Sequence, residues 1–100
     1  MKSRKISLAV AVGLVLATVS GTAAYAAYDV KYPAEGGKWE YGTSGTQVYS
    51  NYIHYSKFHG SSVNNEYGLV RSPDVQGNTW ANARNRQANS GNQAFYRVNR

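Results

Sequence analysis

The chain has 100 residues, with 11 Lys and Arg against five Asp and Glu, no cysteine, and 13% aromatic side chains. This length suffices for one small domain, and the lack of cysteine excludes a disulfide scaffold, a thiol nucleophile and a cysteine-based metal site. Beyond residue 20 the chain contains a single Leu and a single Ile, and a composition rich in aromatics favours strands over a helical bundle.

The first 26 residues have the organisation of a secretory signal peptide. Three basic side chains within the first five residues precede an apolar run over 6–19, and small residues follow it. Ala24 and Ala26 match the small positions of a cleavage site, so we expect cleavage after Ala26, with Ala27 as the second choice. An uncleaved membrane anchor is the alternative, but the apolar run of 14 residues is shorter than the roughly 20 that span a bilayer. We therefore predict a secreted, extracellular protein that works without cytosolic cofactors.

Cleavage also changes the charge of the protein. The remaining 74 residues carry eight basic and five acidic side chains, so the net charge falls from +6 to +3. Half of the apparent basicity belongs to the signal peptide, and we therefore expect no nucleic-acid partner. The remaining charge gives a modest attraction to an anionic bacterial envelope. A small domain without disulfides has to be held by packing, by a metal or by a second copy, which leaves a homodimer open.

The rest of the chain has the pattern of a small β protein. Residues 27–37 are predicted to be a flexible leader, because Pro33 and two adjacent glycines interrupt a regular pattern. The domain is expected over 38–100, and its predicted extended segments are 38–41, 46–56, 57–63, 69–71, 79–84 and 93–98. Turn residues separate most of these segments, and a bend is expected near Gly60. Five or six short strands indicate an all-β fold, a small antiparallel sandwich or barrel.

Alternation of side chains predicts which residues share a face. In the segment 46–56, one face carries Tyr49, Asn51, Ile53 and Tyr55, and the other carries Val48, Ser50, Tyr52 and His54. In the segment 79–84, Trp80 faces away from Ala81 and Ala83. The predicted core consists of Trp39, either Tyr49 or Tyr52, Trp80 and Phe95.

The sequence offers little support for catalysis. No serine lies in a Gly-x-Ser-x-Gly motif, and a hydrolase would need two of the five acidic residues to converge. His54 and His59 are five residues apart, which does not match a His-Glu-x-x-His zinc motif. A metal site would need further ligands such as Glu66 or Asp74, so we interpret the two histidines as surface or interface residues and expect no metal.

One segment is more specific than the composition. Its informative positions are Tyr49-Ser50-Asn51-Tyr52, His54, Ser56-Lys57, His59 and Val63, with flanking elements at Glu35-Gly36, Trp39, Trp80-Ala81-x-Ala83 and Phe95-Tyr96. This pattern resembles the lactococcin 972 family of bacteriocins, and with the flanking elements it spans most of the mature chain. The chain departs from the family pattern in two places. Residues 97–100 are less aromatic than the C-terminus of the family, and the leader over 27–34 is additional.

The resemblance implies both a fold and a function. It implies a β-sandwich of two three-stranded antiparallel sheets in a secreted, non-enzymatic bacteriocin without a cofactor. Such a protein binds the cell-wall precursor lipid II and blocks septum formation in related Gram-positive bacteria without forming pores. Dedicated membrane proteins would protect the producer. The alternatives are a secreted module that binds another envelope glycan or a protein without killing, and a small secreted hydrolase.

The candidate ligand-binding residues come from the same segment: Asn51, Tyr52, His54, Lys57 and His59. A cationic Lys57 beside His59 suits the pyrophosphate of lipid II, while Tyr and Asn side chains suit its sugar and peptide portions. The alternative is that the shared segment only specifies a pair of strands.

Overall fold

A computed structural model of the protein describes residues 17–19 and 26–99. Most of the predicted signal peptide, 1–26, lies outside the described residues. The described strands are β1 (Ala17–Val19), β2 (Ala26–Lys31), β3 (Lys38–Ser44), β4 (Gln47–His54), β5 (His59–Asn65), β6 (Gly68–Arg71), β7 (Thr79–Arg86) and β8 (Asn92–Val98). Within the described residues no helix is long and apolar enough to cross a membrane.

The strands form two antiparallel sheets, so the prediction of an all-β antiparallel fold is confirmed. One sheet has the order β2-β3-β4-β7 and the other the order β1-β8-β5-β6. Within the predicted domain over 38–100 each sheet has the expected three strands, and each gains a fourth at one edge: β2 from the predicted leader and β1 from the predicted signal peptide. Edge strands expose unpaired N–H and C=O groups, and the segments that precede residue 35 pair with these groups.

The predicted leader contains one of these added strands. Where the sequence predicts a flexible segment over 27–37, the structure has β2 paired with β3 from Ala26 opposite Ser44 to Lys31 opposite Trp39. Gly42 permits the close approach of the two strands, since a Cβ atom there would lie 2.0 Å from the carbonyl oxygen of Ala27. The irregular part of the leader is confined to the turn before β3. Removal of the leader stays a prediction.

The core lies between the sheets and is largely aromatic. One buried cluster consists of Trp39, Tyr41, Tyr52, Ala94, Tyr96 and Val98, and a second consists of Val48, Val63 and Ala83. Trp39 stacks on Tyr41 with ring centroids 4.1 Å apart, and its Nε1 donates to Ser50 Oγ at 2.9 Å. The indole is therefore both packed and hydrogen-bonded, as a buried tryptophan requires.

Two of the predicted core residues are confirmed and two are wrong. Trp39 and Tyr52 are buried, whereas Trp80 is 39% exposed and Phe95 is only half-buried. On β7 the inward positions belong to Ala81 and Ala83, so the alternation places Trp80 on the outer face. On β8 the inward positions include Tyr96, and Phe95 therefore points away from the core.

A second feature of the fold is the site of Arg97, on the outer face of the β8-β5-β6 sheet. Its guanidinium donates to Ser72 O at 2.6 Å and to Ser61 O at 3.1 Å, and it pairs with Asp74 at 2.7 Å. The group lies on Gly60, where a Cβ atom would be 2.2 Å from Arg97 Cζ. The bend predicted near Gly60 is wrong, because this residue lies inside β5 and leaves space for the arginine.

Candidate functional site

The segment that carries the sequence resemblance crosses from one sheet to the other. β4 belongs to the β2-β3-β4-β7 sheet and β5 to the opposite sheet, and a four-residue loop over 55–58 joins them. The segment therefore specifies one strand in each sheet, and its two strands are not hydrogen-bonded to each other. The candidate site consists of this loop, the two histidines that flank it and the outer face of β4.

Both histidines are buried, which contradicts their interpretation as surface or interface residues. His54 is the last residue of β4 and His59 is the first of β5, and both point into the space between the sheets. The inward direction of His54 follows from the alternation that also buries Tyr52. The ring of His59 meets the ring of Tyr52 edge-on, with centroids 5.4 Å apart.

The histidines hold the backbone of the crossing loop. His54 Nδ1 accepts hydrogen bonds from the amides of Ser56 at 3.2 Å and Lys57 at 3.0 Å, and its Nε2 donates to Glu35 O at 2.9 Å. Each ring nitrogen of His59 faces a backbone carbonyl oxygen: Nδ1 lies 2.7 Å from Lys57 O, and Nε2 lies 2.5 Å from Thr79 O. Lys57 is thus held through both its N–H and its C=O, and the two histidines act as positioning residues for it.

Tyr52 extends this support to the turn that precedes β3. Its hydroxyl donates to Gly36 O at 2.6 Å, and the hydroxyl of Tyr96 donates to Glu35 Oε1 at 2.7 Å. Burial, together with the Glu35 carboxylate, raises the pKa of Tyr52 and of Tyr96 well above the usual value for tyrosine. Both hydroxyls therefore stay protonated and act as donors. Tyr52, predicted as a ligand contact, is in this structure a core residue that fixes the turn at 35–36.

Lys57 occupies the exposed part of the loop. Tyr55 and Phe58 on either side of it are 59% and 58% exposed. The loop is further fixed by a hydrogen bond from Asn99 N to Phe58 O at 2.8 Å. Within the part of the chain that the structure describes, Lys57 has no ion pair. The ammonium group is consequently available to an anion from solution.

Asn51 lies elsewhere, on the outer face of β4. It lines a shallow pocket of about 230 Å³ together with Ser44, Gln47, Tyr49 and Arg84. Its Oδ1 atom is buried and has no hydrogen-bond partner among residues 26–99. The pocket thus brings an asparagine with an unused acceptor together with the donors of Arg84 and the ring of Tyr49.

The structure does not bring the five predicted residues into one cluster. Tyr52, His54 and His59 lie inside the sandwich, and Lys57 lies on the crossing loop. Asn51 lies on the outer face, about 13 Å along β4 from the start of that loop. Sequence reasoning missed Arg84, which lies opposite Tyr49 on the neighbouring strand β7. Only the strand register reveals this pairing, since the two residues are distant in sequence. The use of these residues as ligand contacts stays a prediction.

The described residues contain no cluster of three or more side chains with metal-ligating groups. Asp74, considered from the sequence as a further ligand, instead forms an ion pair with Arg97. The side chains of His54 and His59 are directed at backbone groups, as described above.

Comparison with protein families gives one match. A family model described as bacteriocin, lactococcin 972, matches residues 35–96, which include the turn at 35–36, strands β3 to β7 and most of β8. No curated protein and no solved structure shows a significant match to the chain.

Proposed function

The chain belongs to the lactococcin 972 family of bacteriocins, and we propose that its mature form is secreted, binds lipid II and blocks septum formation in related Gram-positive bacteria. The action is binding, with no catalytic step and no cofactor. The observation that carries the proposal is an unpaired Lys57 on an exposed loop whose backbone is held by two buried histidines.

The pyrophosphate of lipid II is the proposed partner of Lys57. A charge-assisted hydrogen bond from an ammonium to a phosphate oxygen contributes roughly 1.5–3 kcal/mol. The loop does not need to become ordered on binding, because His54 and His59 already fix Lys57 N and Lys57 O. A fixed loop lowers the entropic cost of binding. Both histidines would therefore contribute to binding by positioning the loop, without contacting the ligand.

The pocket on the outer face of β4 is the proposed contact for the sugar or peptide portion of the headgroup. These portions carry amide groups that both donate and accept hydrogen bonds. Asn51 Oδ1 can accept from an amide N–H, and the guanidinium of Arg84 can donate to a carbonyl or carboxylate oxygen. The ring of Tyr49 supplies an apolar wall.

A second candidate function is favoured by the same pocket. Tyr28 lies beside Tyr49 with ring centroids 6.4 Å apart, and Trp80 is exposed on the same sheet face. Aromatic rings beside polar side chains also suit a module that binds envelope glycan without killing. Loss of growth and of septation in target cells separates the bacteriocin from such a module.

The test uses the secreted protein against membrane vesicles with and without lipid II. Lys57→Ala should weaken binding about tenfold or more and leave the melting temperature unchanged. Lys31→Ala, which removes the same charge from the edge strand β2, is the matched control and should bind normally. Membrane potential and septation are then followed in sensitive cells. No affinity for lipid II, combined with rapid depolarisation, would replace this mechanism with pore formation.

The remaining partners follow from this proposal. The producer is expected to carry dedicated membrane proteins for self-protection, encoded beside the bacteriocin gene. A homodimer stays a prediction, and sedimentation of the purified protein tests it.

A further inference from the structure

The loop over 55–58 has a composition that lipid II binding alone does not explain. Tyr55 and Phe58 are large apolar side chains with more than half of their surface exposed, although burial would be favourable for both. They flank a cation on a loop of four residues. Aromatic side chains beside Lys are typical of protein surfaces that lie at the level of lipid headgroups.

The charges around this loop favour an anionic partner. Two carboxylates lie near this end of the sandwich, and both are engaged: Glu35 accepts from Tyr96, and Asp74 pairs with Arg97. Lys57 has no such partner in the part of the chain that the structure describes. The loop therefore presents an unpaired cation between two exposed aromatic side chains.

The backbone of the loop is also fixed by hydrogen bonds. Its backbone is bonded to His54 at one side, to His59 at the other and to Asn99 through Phe58 O. The backbone that carries the aromatic rings is already ordered, which lowers the entropic cost of their transfer from water.

We propose that the loop over 55–58 docks the protein onto the surface of an anionic lipid bilayer, whether or not lipid II is present. Tyr55 and Phe58 enter the headgroup region, and Lys57 contacts lipid phosphates. The bilayer itself is the partner, so this docking is distinct from recognition of lipid II. It would concentrate the protein on the surface where a lipid-linked ligand resides.

The fold supplies a matched control at its opposite end. Leu69 is 58% exposed, the same fraction as Phe58, and lies on β6 next to the turn that joins β5 and β6. The chain has no cysteine, so Phe58→Cys and Leu69→Cys each give a single labelling site. An environment-sensitive dye at each position reports transfer from water into lipid.

The experiment adds vesicles of phosphatidylglycerol and phosphatidylcholine, without lipid II, to the two labelled proteins. We expect a blue shift and brightening at position 58 and none at position 69. In sedimentation with the same vesicles, Phe58→Ser should lower partitioning about tenfold or more, and Leu69→Ser should not change it. Lys57→Ala should lower partitioning into anionic vesicles about fivefold and reduce the preference for anionic over neutral vesicles.

Three results would overturn the proposal. The first is an equal dye response at positions 58 and 69, which would indicate non-specific adsorption. The second is no response at position 58. The third is self-association that depends on Phe58 without any vesicle binding, which would make the loop an interface between copies of the chain. Because the vesicles lack lipid II, failure here leaves the test of lipid II binding separate.

Discussion

Replacement of Arg97 by alanine should cost about half of the stability of the domain. The Arg97 side chain is only 13% exposed, and its guanidinium donates to two backbone carbonyls and to Asp74. Ser61 O keeps a second donor, the amide of Ser72 at 2.8 Å, but Ser72 O loses its charged donor. Hydrogen bonds from charged groups contribute about 1.5–3 kcal/mol. The pair with Asp74 adds about 1 kcal/mol at most, because that carboxylate is 48% exposed.

These terms predict a loss of about 2–3 kcal/mol for Arg97→Ala, against a total on the order of 5 kcal/mol for a domain of this size. Gly60→Ala should cost a similar amount, since its methyl group would lie 2.2 Å from Arg97 Cζ and displace the guanidinium. Both changes remove the same interactions. The double variant should therefore have a free energy of unfolding no lower than that of the less stable single variant. The two costs would then fail to add by about 2 kcal/mol.

Urea denaturation followed by tryptophan fluorescence measures these free energies of unfolding. Arg84→Ala is the control for the loss of an arginine, and its cost should stay below about 0.5 kcal/mol because Arg84 is exposed. Strictly additive costs of the Gly60 and Arg97 changes would refute the reasoning. A loss below about 0.5 kcal/mol for Arg97→Ala would refute it as well.

Three further predictions concern the tyrosines, the pocket and processing. Burial and Glu35 raise the pKa of Tyr52 and of Tyr96 in the folded protein. The stability that the two protonated hydroxyls contribute is therefore complete below their pKa in the unfolded state, about 10, and is lost as the pH rises above it. Unfolding free energies measured from neutral to alkaline pH should fall above this value, and Tyr52→Phe should flatten the fall; an equal fall in that variant would contradict the argument. Asn51→Ala should weaken lipid II binding in vesicle titrations and leave stability unchanged or higher, because it removes an acceptor without a partner; a clear loss of stability would contradict this. The secreted protein should begin at Ala27 or Tyr28, or at Glu35 after further trimming, and finding Met1 by mass spectrometry would exclude cleavage.

The sequence by itself determined most of the strands after residue 37 and the faces of the most regular ones. The side-chain period of a strand is local, so the alternation over 46–56 is sufficient to place Val48, Ser50 and Tyr52 on one face of β4. The packing of the two sheets makes that face the buried one. The same rule placed Trp80 opposite Ala81 and Ala83, which the structure confirms. That placement already conflicted with a core role for Trp80, and the smaller alanines occupy the interior.

Only the tertiary structure decided which residues meet. The pairing of Tyr49 with Arg84 depends on the register between β4 and β7, and the edge strand β2 depends on the free edge of β3. His54 and His59 read as polar in the sequence and therefore as surface residues, yet the crossing between sheets turns both inward. There the backbone groups of the loop satisfy their polar atoms, which permits their burial. Such partners are distant in sequence or lie in the backbone, and no local pattern encodes them.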